Sequence, residues 1–206
     1  MTKSLQKNIY LYNKLYKLIL GKCMKQEFKT KKDLRIWAKE LRKNIDCSDI
    51  LVKNLMQTEE YKNARHIMIF YPKQDEVNLL SLLEDESKIF YLPKINNDKL
   101  LCCQYSKGEE LCNSCFGTCE PLTNECHKEK IDLVIVPALC CDKNNYRLGY
   151  GGGFYDRFLE KFFGTTICCL PNIFIVDTIF PEKHDKKIDL IITDSQDYRY
   201  KMAQES

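Results

Sequence analysis

Residues 131–159 read IDLVIVPALCCDKNNYRLGYGGGFYDRFL: an apolar run, a polar stretch, a cluster of glycines and a segment of helical spacing in direct succession. Ile131 to Val136 has the branched-aliphatic composition of a strand buried on both faces, and Phe154 to Phe163 has the periodicity of a helix. Between them, Arg147, Leu148, Gly149, Tyr150, Gly151, Gly152, Gly153, Phe154, Tyr155, Asp156 and Arg157 place four glycines between two arginines, with a carboxylate at the far end. Glycine accommodates unusual backbone angles and close approach of a ligand, and consecutive N–H groups opening a helix direct partial positive charge at an anion. The stretch predicts a phosphate cradle with a metal ligand at its edge.

Other apolar runs of similar composition lie at His66 to Tyr71, Lys88 to Leu92, Ile173 to Val176 and Ile188 to Ile192. Helical patterns lie at Lys31 to Asn44, with Leu34, Trp37, Ala38 and Leu41 on one face, after Asp49, and at Val77 to Leu83. Doubly buried strands alternating with helices predict an α/β layer on a mainly parallel sheet, in which ligands collect beyond the carboxyl ends of the strands. Tyr71, Pro93, Pro137 and Thr193 fall just past candidate strands. Residues 94–130 read as polar, Cys-rich and irregular, with at most one weak strand.

The chain has 206 residues, enough for a proper core, and a net charge of only +3, which argues against nucleic acid as partner. Its longest apolar stretch, Thr165 to Phe180, is interrupted by Pro171, Asn172 and Asp177, and the amino terminus does not resemble a secretory signal. The expectation is a cytoplasmic protein with no membrane association. Residues 1–30 carry seven lysines against one acid, Glu27, with Leu5, Ile9, Tyr12, Tyr16 and Ile19 at helical spacing. They predict a basic amphipathic extension, read either as a surface anchor or organelle-targeting segment or as a helix packed on the domain. The twelve cysteines include adjacent pairs that geometry makes awkward to bridge, so free thiols are expected. Cys112, Cys115, Cys119, Cys126 and His127 also raise a structural zinc alternative, although the spacing fits no standard module.

The glycine loop is neither a P-loop, since no Gly-Lys-Ser/Thr follows, nor a dinucleotide fingerprint, since the preceding apolar run ends near Val136. Its company is more specific. Arg147 and Arg157 supply charge for phosphate, Asp156 an oxygen for a hard cation, and Tyr150, Phe154 and Tyr155 flat surfaces for a ring.

Asp132 through Asp142 and Tyr146 through Leu159 together resemble the signature of the 5-formyltetrahydrofolate cyclo-ligase family, also called methenyltetrahydrofolate synthetase. Further pieces agree in order: Lys31-Lys32-Asp33-Leu34-Arg35, Phe70-Tyr71 with Glu76, Phe116 through Pro121, and His184-Asp185 with Asp189. The resemblance covers roughly residues 30–195 and implies a three-layer α/β/α sandwich in a single domain, residues 31–206, with 1–30 outside it. It implies an ATP- and magnesium-dependent enzyme that closes 5-formyltetrahydrofolate to 5,10-methenyltetrahydrofolate, releasing ADP and phosphate, by phosphorylating the formyl oxygen. A positioned N10 amine then displaces phosphate, and no protein nucleophile is required.

Carried over by position, Lys31, Lys32, Asp33, Leu34 and Arg35, together with Arg147, Leu148, Gly149, Tyr150, Gly151, Gly152, Gly153, Phe154 and Tyr155, correspond to ATP contacts. Tyr71, Glu76, Tyr150, Gly151, Gly152, Gly153 and Phe154 correspond to substrate contacts, and Asp156 and Asp185 to magnesium ligands. Gly152 stands where some relatives carry lysine, and Cys119 where proline is usual. The partner is a small molecule, and a monomer is expected. The reading from another class is a non-catalytic folate- or nucleotide-binding protein on the same scaffold. Asp156→Asn is expected to remove turnover with the fold intact.

Overall fold

Helix α1 (Lys31–Arg42) begins where the sequence supplies its own cap: Thr30 Oγ1 accepts from Asp33 N at 3.2 Å and donates to Asp33 Oδ2 at 2.9 Å. This reciprocal pair satisfies a free donor of the first turn and fixes the direction in which Lys31 and Arg35 project. The computed structural model describes residues 27–114, 117–125 and 127–195, together with the backbone of 199–201. The helix expected within residues 1–30 therefore lies almost wholly outside the described residues.

Helices α2 (Ser48–Met56) and α3 (Glu59–Asn63) follow, α3 capped by Thr58 Oγ1 accepting from Tyr61 N at 3.1 Å. The sheet is built from β1 (His66–Met68), β2 (Ile89–Asn96), β3 (Lys99–Gln104), β6 (Leu133–Ile135), β9 (Thr165–Cys169), β11 (Leu190–Ile192) and β12 (Arg199–Lys201) in the order β12-β11-β9-β6-β1-β2-β3. Its five central strands are parallel, and β3 and β12 add antiparallel edges. Alternate strand residues feed two cores. Ile67, Leu133, Ile135, Ile167, Leu190 and Ile192 pack with Leu51, Leu55 and Tyr61 of α2 and α3, whereas Met68, Val134, Cys168 and Ile191 pack with Leu34 and Ala38 of α1. The three-layer α/β/α architecture follows from that division.

Several elements depart from expectation. Residues 94–130 are not irregular: β2 runs on to Asn96, turns at Asn97 (φ 55°) and returns as β3, and β4 (Leu111–Asn113) pairs with β5 (Cys119–Pro121). Pro93 is tolerated inside β2 because the pairing with β1 has already ended at Tyr91, so no ladder donor is lost. Thr165–Cys169, read only as apolar sequence, is a central strand. Val77 to Leu83 is replaced by a 3-10 turn at Leu80–Glu84, and Ile173 to Val176 by a 3-10 turn followed by the short β10 (Ile175–Val176).

Between β6 and the glycine loop lies a hairpin, β7 (Cys140–Asp142) and β8 (Arg147–Leu148), so a strand does enter the loop directly. Its turn is held by buried Asp142, whose Oδ1 accepts from Asn144 N and Tyr146 N at 2.9 and 3.1 Å, and by Asn145 at φ 65°, an angle asparagine adopts more readily than most residues. Helix α4 (Phe154–Leu159) is shorter than its pattern suggested. The described cysteines are free thiols, as expected. Among the described residues, no helix is long and apolar enough to cross a membrane.

Candidate active site

A cavity of about 520 Å³ opens at the carboxyl end of the parallel strands, lined by Phe70 and Tyr71 beyond β1, Pro93 and Ile95 of β2, and Pro137 beyond β6. The glycine loop, Gly149 to Gly153, forms one side, between β8 and α4. Gly151 (φ 109°) and Gly153 (φ 65°) take backbone angles that a side chain would strain, and the space beside Gly151 is bounded by the Arg35 guanidinium, 3.7 Å from where a Cβ would stand. Arg35 Nε donates to Gly149 O at 3.0 Å, tying α1 to the loop. The backbone N–H groups of Gly151, Gly152 and Gly153 donate to no described residue.

Two ion pairs complete this end. Arg147, only 4% exposed, donates from Nη1 to Asp156 Oδ1 at 2.8 Å, and the same oxygen accepts from Lys186 N at 3.1 Å. Lys31 Nζ donates to Asp185 Oδ2 at 2.6 Å and reaches Glu182 Oε1 at 3.0 Å, while Asp185 Oδ2 also accepts from Glu182 N at 2.6 Å. Burial alone would lower the Lys31 pKa and raise that of Asp185. The bonds between them and to Glu182 outweigh it, so the ammonium is held above its usual 10.5 and the carboxyl below its usual 3.8. Both groups stay charged.

These carboxylates suit a magnesium ion. Each commits one oxygen, leaving Asp156 Oδ2 and Asp185 Oδ1 without a hydrogen bond from a described residue. Magnesium takes one or two carboxylates and completes its shell with phosphate and water. Among the described residues, no three His, Cys, Asp or Glu side chains are grouped to hold a metal by themselves. Cys115 and Cys126 lie outside the described residues, so the zinc alternative rests on sequence alone.

The other side of the cavity is aromatic and neutral. Burial first, and then the Glu76 carboxylate, push the phenols of Tyr150 and Tyr155 well above the ordinary tyrosine range, which makes both of them donors. The Tyr155 hydroxyl and Arg147 Nε are buried with no hydrogen-bond partner, an arrangement that a ligand acceptor would complete. Glu76 Oε2 accepts from Lys73 N at 2.9 Å, and Lys73 Nζ stands 4.4 Å from the Tyr150 ring centre.

Of the residues singled out from sequence, Lys31, Arg35, Tyr71, Glu76, Arg147 to Asp156 and Asp185 all line this cavity. Lys32, Asp33 and Leu34 do not: Lys32 is exposed, Asp33 serves the α1 cap, and Leu34 is fully buried in the core beneath that helix. A five-residue motif on a helix cannot point one way, because its side chains fan around the axis. Lys73, Glu120 and Glu182 were not singled out. Glu182 had a signal in its spacing three residues before Asp185 and Glu120 one in the Phe116 to Pro121 segment, which was given no role, whereas Lys73 is brought to the cavity only by tertiary folding.

The chain is similar to known proteins of one family. The chain is 25% identical over 150 residues to the 5-formyltetrahydrofolate cyclo-ligase of Mus musculus, covering 64% of this chain and 74% of that one. It is 29% identical over 111 residues to the enzyme of the same name from Haemophilus influenzae, covering 50% and 59%. Its fold resembles the solution structure of Aquifex aeolicus 5,10-methenyltetrahydrofolate synthetase, with a TM-score of 0.75 at 24% identity over 85% of this chain and 94% of that one. The sequence pattern of the 5-formyltetrahydrofolate cyclo-ligase family matches residues 24–194, and the chain belongs to that family.

Proposed function

We propose that the chain closes 5-formyltetrahydrofolate to 5,10-methenyltetrahydrofolate at the expense of ATP, with magnesium held by Asp156 and Asp185. One observation carries the reading: unpaired loop N–H groups and the unpaired Nε of buried Arg147 share a cavity with two carboxylates that each keep an oxygen without a hydrogen bond from a described residue, that of Asp185 lying 3.8 Å from His184 Nε2. Donors and acceptors left open side by side suit a ligand that is anionic and carries a divalent cation, as a triphosphate does.

The chemistry requires activation of a poor leaving group. The formyl oxygen belongs to an amide and leaves poorly; transfer of the γ-phosphoryl of ATP to that oxygen, with ADP departing, makes it a phosphate that the N10 amine of the same molecule can displace. Lys31, Arg35 and Arg147 neutralise the phosphates, the loop amides orient them, and the neutral Tyr155 hydroxyl donates to an oxygen of the ligand. Magnesium supplies charge neutralisation and orientation of the phosphates. Glu76 accepts from N–H groups of the pterin. Tyr71, Pro93, Ile95 and Phe154 exclude water, which would otherwise hydrolyse an activated formyl group. Lys32, Asp33 and Leu34 have no direct part in this scheme.

Purified protein given 5-formyltetrahydrofolate and Mg-ATP should develop the near-ultraviolet absorbance of the methenyl product. A folded protein that binds both compounds without that absorbance would be the binding module instead.

A further inference from the structure

Glu120 is the middle residue of β5, 6% exposed, and lines the cavity alongside Pro93, Ile95, Leu100 and Thr118. Its backbone carbonyl is met by Cys112 Sγ at 3.4 Å. Its carboxylate forms no hydrogen bond and no ion pair with any described residue. The other acids of the cavity are engaged: Asp156 by Arg147, Asp185 and Glu182 by Lys31, Glu76 by Lys73 N. A carboxylate with little access to water and no protein partner is costly, and a protein that keeps one facing a ligand cavity leaves its partner to the ligand.

The ligand group facing Glu120 is therefore an N–H donor, since a phosphate there would meet like charge. Its apolar neighbours Pro93, Ile95 and Leu100 suit a flat ring carrying that donor. We propose that Glu120 is a substrate-binding residue that accepts hydrogen bonds from ring or amino N–H groups of the reduced pterin, a contact additional to that of Glu76. The proposal rests on the folate reading given above.

Glu120→Gln in the full chain keeps the shape and replaces one acceptor oxygen by a donor. Equilibrium dialysis should show 5-formyltetrahydrofolate bound about tenfold more weakly or worse, as expected for a lost hydrogen bond to a charged acceptor, with Mg-ATP affinity within about twofold of wild type. The melting temperature of the ligand-free variant should be unchanged or raised, because an unpaired charge has been removed. Unchanged folate affinity, an equal loss of nucleotide affinity, or a lowered melting temperature would each overturn the proposal, the last by making Glu120 structural. Should Glu120→Gln fail to fold, Glu120→Asp keeps the charge but withdraws it by one methylene, and wild-type folate affinity in that variant overturns the proposal equally. A wild-type chain that binds no 5-formyltetrahydrofolate overturns the substrate reading itself, and this proposal with it.

Discussion

Arg147 is 4% exposed and its guanidinium meets one carboxylate, that of Asp156. Asp156→Asn leaves that charge uncompensated and weakens the acceptor for Lys186 N. Removing one partner of a fully buried pair costs about 3–5 kcal/mol, and with Asp156 itself 18% exposed about 2–3 kcal/mol is expected. The variant expected to lose turnover with the fold intact should therefore also lose stability: turnover should fall by orders of magnitude, and denaturant unfolding beside a steady-state assay separates the two. The Lys31–Asp185 pair has a pH signature. The Asp185 carboxyl is held below 3.8, so its stabilising contribution is complete above that pH and is lost as pH falls through the lower folded value. Lys31, held above 10.5, contributes below that pH and loses its contribution only as pH rises past the higher folded value. The wild-type advantage in melting temperature over Lys31→Met should therefore be constant at neutral pH and shrink below about pH 4. A gap that stays undiminished to about pH 2 would deny the pair that role. Of the charged residues lining the cavity, Arg147 and Asp156 were legible from the glycine loop itself, whereas Lys31, Arg35, Glu76 and Asp185 were marked only by the family resemblance. Their mutual pairing was not legible, since Lys31 and Asp185 are separated by most of the chain and nothing local couples them.

Elements decide how these side chains are aimed. The Thr30–Asp33 box sets the first turn of α1, and Lys31 is its first residue. Thr30→Ala should cost about 1 kcal/mol, and because the fraying it permits falls on Lys31, nucleotide affinity should drop with it. A variant that loses stability while keeping wild-type nucleotide affinity would show that the cap does not orient Lys31. The loop is more sensitive still. Gly151→Ala forces a side chain into φ 109° beside the Arg35 guanidinium, for a strain of about 1–2 kcal/mol, whereas Gly149→Ala meets nothing within 4 Å and should be nearly neutral. Comparing the two in both a thermal melt and a nucleotide titration tests whether the backbone angle at Gly151 carries the binding. Helix α1, the entry to α2 and strands β1, β6 and β11 were legible from periodicity within a few residues. Of the β2–β3 hairpin only Lys88 to Leu92 was legible, since the residues beyond Pro93 read as polar and irregular, and β9 was missed because its cysteines and threonines do not mark a strand when read alone. Helix α4 stops at Leu159 rather than Phe163, and Phe163 is left almost wholly in solvent.

At the scale of the molecule, the parallel order and the two-sided core followed from doubly buried strands alternating with helices, which leave few other ways to cover both faces of a sheet. The position of the cavity followed as well, because loops beyond the carboxyl ends of parallel strands are where side chains from distant segments converge. That convergence couples the ligands. Without ligand, Arg147 and Lys31, two of the three cations proposed for phosphate, are neutralised by Asp156 and Asp185, the carboxylates proposed for magnesium. ATP alone must take the cations from their partners and leave two carboxylates near its own negative charge, and magnesium alone finds those carboxylates already compensated. Together they exchange partners with little net change in charge. Mg-ATP at about a hundred times its dissociation constant should stabilise the fold by about 2.7 kcal/mol, roughly 5–10 °C in melting temperature for a chain of this size. Equal concentrations of ATP with EDTA, or of magnesium chloride alone, should each give a much smaller shift, so that the combined effect exceeds their sum. Asp156→Asn should narrow the difference between ATP with and without magnesium, since it removes one ligand of the metal and frees Arg147 for phosphate at once. Additive shifts in the wild type, or an undiminished difference in the variant, would mean that the two ion pairs do not link nucleotide to metal.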